Sequence, residues 1–169
     1  LHERGPQNHR RRLAKESVMT VEIAFLQAGY CTHPQKVAWS EGDWRSIAFP
    51  ATVAVISHPR HGVILFDTGY SERFYYETRK WPNRLYSWVT PVFIDEGTTA
   101  LAQLKKVGIQ AADVRTVVLS HFHADHIAAV ADFTKAQYVY VREAFDVVRD
   151  LKGLRALRHA FLPGLLPGD

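Results

Sequence analysis

The sequence predicts an α/β domain, and three observations carry that reading. Short runs rich in Val, Ile and Phe gather early: Val21, Ile23 and Phe25, then Thr52 to Ile56, Val63 to Phe66 and Val117 to Leu119. Between and after them lie segments with apolar residues at helical spacing that open on capping hydroxyls. An apolar content of 47% with four tryptophans is enough for a packed core and argues against disorder. No stretch approaches the roughly 18–20 consecutive apolar residues that a membrane-spanning helix needs.

Taken in order, residues 1–18 read as a basic, flexible N-terminal extension. They hold Arg4, Arg10, Arg11, Arg12 and Lys15 against Glu3 and Glu16, so most of the net charge of +4 lies there. Residues 19–169 are left close to neutral. Arg10-Arg11-Arg12 reads as a solvated tail rather than a nucleic-acid arm, since no basic face continues into the rest of the chain. No apolar segment follows the arginines before Met19, so a secretory signal is not expected. Met19 is the only methionine and stands just before the first strand. The natural start is therefore expected near it, with a genuine N-terminal arm as the competing reading.

Val21, Ile23 and Phe25 alternate with polar or small residues, as in a strand with one buried face. Gln27 to Pro50 is expected to be a loop, punctuated by Gly29, Pro34, Gly42 and Pro50 and pinned to the core by Trp39 and Trp44. Thr52 to Ile56 and Val63 to Phe66 form a hairpin around Pro59 and Gly62, with His58 and His61 as exposed turn residues. Asp67-Thr68-Gly69 closes the second strand. Its carboxylate can make a local turn, and it can also bond the amides of a neighbouring loop. Ser71 caps a helix reaching about Arg79. Trp81 to Ile94 is expected to be irregular, its aromatics either packing inward or covering a substrate. Thr98 or Thr99 caps the next helix, with Leu101, Leu104 and Val107 as its stripe and Gly108 as its stop. Later come a strand over Ala136 to Val141 and a helix from about Glu143 to Leu151, with Phe145 and Val148 inward. Gly153 to Asp169 reads as loop.

Chemistry concentrates in Ser120-His121-Phe122-His123-Ala124-Asp125-His126, directly after the apolar run Val117-Val118-Leu119. In an extended segment alternate side chains share a face, so His121 and His123 point into one pocket. Asp125 and His126 fall where the chain turns into a helix and approach that pocket from another side. Neutral imidazoles and a carboxylate suit zinc, iron or manganese. Cys31, the single cysteine, excludes an internal disulfide framework and fits a reducing, cytoplasmic setting.

His121-x-His123-x-Asp125-His126 after a hydrophobic strand, with Ile64-Leu65-Phe66-Asp67-Thr68-Gly69 upstream, resembles the signature of the metallo-β-lactamase-fold hydrolases. The general look of the chain is nearest the lactonase-like branch. The resemblance implies a four-layer αββα sandwich with its metal site at one edge of the two sheets. Residues 19–169 would supply about the N-terminal half of it, the remaining ligands being expected beyond residue 169. Ala128 and Ala129 stand where many members have two glycines. The resemblance places His121 and His123 on one metal ion and Asp125 and His126 on a second, two zinc ions in the complete domain, with iron or manganese as possible substitutes.

The implied reaction is attack of a metal-bound hydroxide on an ester, lactone, thioester or amide carbonyl of a small molecule, with Asp125 also carrying a proton to the leaving group. Four ligands shared by two metals leave each short of the usual three, so residues 1–169 alone are expected to be poor catalysts. An iron-dependent redox enzyme of dioxygenase or flavodiiron type is the alternative, and an inactive fragment or remnant is another. A nuclease is disfavoured by the near-neutral folded part. Neither a nucleic-acid nor a membrane partner is expected, and the oligomeric state is left open.

Overall fold

The structure, a computed structural model, describes residues 20–168, so the expectations for residues 1–18 lie outside the described residues. Among the described residues six strands form one mixed sheet. They are β1 (Glu22–Pro34), β2 (Ser46–His58), β3 (Gly62–Phe66), β4 (Val92–Phe93), β5 (Val114–Val118) and β6 (Gln137–Val139), in the order β4-β1-β2-β3-β5-β6. The first pairings are antiparallel, whereas β3–β5 and β5–β6 are parallel. Parallel neighbours need a crossover. Between β3 and β5 run α2 (Glu72–Glu77), α3 (Arg84–Val89) and α4 (Ala100–Lys106), and between β5 and β6 runs α5 (Ala124–Ile127). The remaining helices are α1 (Gln35–Ala38), α6 (Arg142–Arg149) and α7 (Gly153–Leu157).

The two faces of the sheet differ. One carries Val53, Val55, Leu65 and Val117, which join Phe74, Leu104, Ile127 and Phe133 from the helical side in one buried cluster. The other presents a row that crosses five strands: Phe25, Ala54, Phe66, Val118 and Val139 are successive cross-strand partners. Phe25 is 72% exposed, Phe66 42% and Val139 45%. Of the four layers of an αββα sandwich, the described residues thus build two, a helical layer and a sheet with a bare apolar face.

That arrangement corrects several sequence expectations. Val21, Ile23 and Phe25 do alternate, but all three are exposed because they point to the uncovered face. Gln27 to Pro50 is not a loop. β1 bends at Gly29, whose positive φ of 79° permits a bulge, and continues to Pro34 while β2 pairs with it from Ser46. Isolated Gly and Pro were insufficient to break strands that hydrogen-bond along their length. Trp39 and Trp44 are exposed and pin nothing to the core. Trp81 to Ile94 contains α3 and β4, with Trp81 and Trp88 also exposed. Val107 leaves the stripe of α4 and is exposed, while Ala100 and Leu104 are buried. Gly153 to Asp169 holds α7 and a short 3-10 turn at Pro163–Leu165.

Other elements form as their residues dictate. Ser71 accepts from Arg73 N to cap α2, and Thr99 accepts from Ala102 N to cap α4. Phe145 and Val148 are buried on α6. His58 and His61 lie on the hairpin turn, where His58 Nδ1 accepts from the amides of Arg60 and His61. No helix among the described residues is long and apolar enough to cross a membrane.

Candidate metal centre

The loop after β5 takes the shape its alternation implies. Phe122 and Ala124 are buried, while His121, His123, Asp125 and His126 are half-buried. His121 and His123 thus share the outward face, and their rings meet at 4.7 Å with Nε2 of His121 lying 3.1 Å from Nδ1 of His123. The chain then turns into α5, which brings His126 Nε2 within 3.1 Å of Asp125 Oδ2. The His121 and His126 rings are 3.9 Å apart, so both pairs stand at one place.

The upstream turn holds this loop. Asp67 ends β3 with a positive φ of 63° and is 3% exposed. Ser120 donates to it twice, from its amide to Oδ1 at 2.8 Å and from its hydroxyl to Oδ2 at 2.8 Å. His126 Nδ1 lies 2.7 Å from the same Oδ2. A carboxylate can only accept, so Nδ1 of His126 carries a proton toward Asp67, and Nε2, facing the Asp125 carboxylate, carries one as well until a metal takes its place. Thr68 donates from both amide and hydroxyl to the carbonyl of His126, each at 2.8 Å. Ser71 Oγ donates to the carbonyl of Ala128 at 2.6 Å. Asp67 therefore does more than close a turn: with its neighbours it sets the height and orientation of the whole histidine loop.

Ala128 and Ala129 are buried with negative φ, at −62° and −96°, so this backbone has no need of glycine. Sequence pattern gives no sign of the two bonds that Ser120 makes to Asp67. It also misses Phe161, whose ring lies 5.1 Å from that of His123. The Asp67–Ser120 contact joins residues 53 positions apart, and local pattern carries no sign of it. His159 sits exposed on the turn after α7.

Electrostatics follow from these contacts. Burial disfavours a charge on His126, yet its bonds to Asp125 and Asp67 outweigh that and raise its pKa to about 9. Burial opposes the Asp125 carboxylate as well, and the same bond to His126 more than offsets it, leaving its pKa lowered. His121 is pushed down by burial and by the neighbouring His126 and His123, so it is held neutral, as a ligand must be. Burial raises the thiol of Cys31 and the hydroxyls of Tyr70 and Tyr86, and the Asp125 charge raises all three further, while a hydrogen bond with Tyr70 lowers Cys31 in part.

The donors fit a metal in type and in spacing. Bonds of about 2.0–2.1 Å at tetrahedral angles put two ligand atoms about 3.3 Å apart, and both pairs stand at 3.1 Å. They remain pairs: among the described residues no three His, Cys, Asp or Glu side chains form a metal-holding group. A broad concavity of about 980 Å³ opens beside α2, lined by Ser71, Arg73, Arg79, Glu96 and Asp132. It includes none of the histidine-loop residues and mixes both signs of charge, so it does not mark the reaction site.

Residues 47–144 match the family model of the metallo-beta-lactamase superfamily. The N-acyl homoserine lactonase AttM of Azorhizobium caulinodans is 30% identical over 128 residues, a match covering 75% of this chain and 48% of the relative. The probable metallo-hydrolase Rv2300c of Mycobacterium tuberculosis is 35% identical over 78 residues, covering 44% of this chain and 24% of the relative. Among solved structures, an N-acyl homoserine lactone hydrolase with N-hexanoyl-L-homoserine bound at its catalytic metal centre superposes with a TM-score of 0.68. That match has 22% identity and covers 87% of this chain and 58% of the other. AidC, a dizinc quorum-quenching lactonase, superposes with a TM-score of 0.56 at 20% identity, covering 79% and 46%. The chain spans about half the length of the lactonases it matches.

Proposed function

The chain belongs to the metallo-beta-lactamase superfamily, and from that premise we propose that it carries the metal-binding loop of a hydrolase acting on a small carbonyl substrate, a lactone first among ester, thioester and amide. In this reading His121 and His123 hold one ion through Nε2 and Nδ1, and Asp125 and His126 hold a second. Zinc suits this donor set, and residues 19–169 contribute about the N-terminal half of the complete domain. The observation that carries the reading is the pairing of four donors at 3.1 Å, with Asp67 holding Nδ1 of His126 so that Nε2 is the atom turned toward Asp125.

A bound metal of this kind acidifies water and polarises a carbonyl at neutral pH. The chain's own residues do the rest. Asp67 and Thr68 keep the imidazoles oriented. Asp125, ionised beside His126, is the group placed to take up a proton and return it to the leaving oxygen. Similarity to lactonases supports the lactone, and the near-neutral composition of residues 19–169 offers little attraction to a polyanion.

Metal content tests the centre and a substrate panel tests the chemistry. In the complete domain His121→Ala with His123→Ala should remove at least one equivalent of metal by elemental analysis. Unchanged metal content would end the assignment. With zinc, the complete domain should turn over an acyl lactone faster than a bis-aryl phosphodiester. The reverse order, with lactones inert, would overturn the substrate class, and activity only with iron and oxygen would move the protein to redox chemistry.

A further inference from the structure

The Ser120 hydroxyl has three polar neighbours, the most distant being His126 Nδ1 at 3.3 Å, which is closer to Asp67 Oδ2 at 2.7 Å. The hydroxyl lies 2.8 Å from Asp67 Oδ2 and 3.0 Å from His121 Nδ1. Asp67 is a buried carboxylate and accepts only, so the single hydroxyl proton of Ser120 goes to Oδ2. What remains on the serine oxygen for His121 is a lone pair. A neutral imidazole answers a lone pair by placing its proton there, on Nδ1, and that leaves Nε2 without one. The bare Nε2 is the atom turned toward His123 Nδ1 at 3.1 Å.

We propose that Ser120 is a positioning residue: it relays the fixed acceptor character of Asp67 to His121 and holds that imidazole in the Nδ1-protonated form, its Nε2 free to serve as a ligand. The inference deepens the proposed metal centre and rests on it for its purpose, though not for its geometry. One carboxylate then sets both ends of the donor set, His126 directly and His121 through one hydroxyl. The backbone amide of Ser120 bonds Asp67 Oδ1 separately. The anchoring of the loop therefore survives removal of the hydroxyl, and the two roles of the residue can be pulled apart by mutation.

The test reads the tautomer in the metal-free chain, by ring-nitrogen chemical shifts and two-bond couplings in a ¹⁵N-histidine sample. The parent should show His121 protonated on Nδ1. Ser120→Ala should shift it toward the Nε2-protonated form, which satisfies His123 Nδ1 instead. Ser120→Thr, which keeps the hydroxyl, should restore the parent signature. Zinc affinity, measured against a chromophoric chelator, should fall about 10- to 100-fold in Ser120→Ala and recover in Ser120→Thr. A parent His121 protonated on Nε2, or a Ser120→Ala chain with an unchanged tautomer, overturns the relay. A chain showing the expected tautomers yet taking up no zinc supports the relay and sinks the metal assignment alone.

Discussion

Replacing Gly69 by alanine should loosen the joint between β3 and the histidine loop, and the structure sets the size of the effect. Gly69 has φ +72°, a conformation costing an L-residue about 1–2 kcal/mol. An added Cβ would collide with the Ala28 side chain and lie 3.1 Å from its carbonyl oxygen and 3.2 Å from Val53 Cγ2. Ala28 and Val53 are both 0% exposed, so neither has room to withdraw. Overpacking of this kind costs about 1–3 kcal/mol. Together the two effects predict a loss of about 2–5 kcal/mol, which for a domain of this size lowers the melting temperature by roughly 2–4 °C per kcal/mol.

Gly108→Ala supplies the control. It shares a left-handed φ of 82°, but an added Cβ meets nothing within 4 Å, so only the backbone cost applies. Urea unfolding of both variants in the metal-free state separates packing from conformation. A Gly69→Ala loss below about 1 kcal/mol, or one no larger than that of Gly108→Ala, would refute the argument from crowding.

Three further changes test other parts of the structure. Asp67→Asn keeps a residue that tolerates φ 63°, but its amide keeps one acceptor oxygen and puts an NH2 donor in place of the other, so either orientation strands His126 Nδ1–H or the Ser120 amide. Stability should fall by about 1–3 kcal/mol in urea titration, and zinc affinity should drop, with parent-like affinity arguing against the role of Asp67. Ser71→Ala removes the bond to the Ala128 carbonyl and the cap on α2, and should cost about 1–2 kcal/mol by the same measurement. Phe25→Thr should change stability by no more than about 0.5 kcal/mol, Phe25 being 72% exposed, and Phe66→Thr, 42% exposed, by about 1 kcal/mol. The pair should also reduce self-association seen in sedimentation velocity, because it interrupts the apolar row on the open face. A large stability loss would mean that the face is covered.

Sequence alone determined the parts of this protein whose causes are local. Period-two alternation placed His121 and His123 together, because successive side chains of an extended segment cannot do otherwise. Capping hydroxyls at Ser71 and Thr99 started their helices, and Gly108 stopped one, because helix ends need partners for a few specific groups. The signature from His121 to His126, with the Asp67-Thr68-Gly69 turn upstream, pointed to the superfamily from a few residues. Tertiary structure decided whatever depended on a partner far along the chain. Alternation gave Phe25 a face but not the identity of the buried face, which was fixed only when the helices packed on the side of Val53 and Leu65. Gly29 and Pro34 looked like breakers, yet β1 ran on because β2 satisfied its backbone across more than ten residues of pairing. Ser120 looked like any loop hydroxyl until the fold brought Asp67 against it from 53 residues away. A hydrogen bond's meaning lies in both of its ends, and the sequence shows only one end at a time.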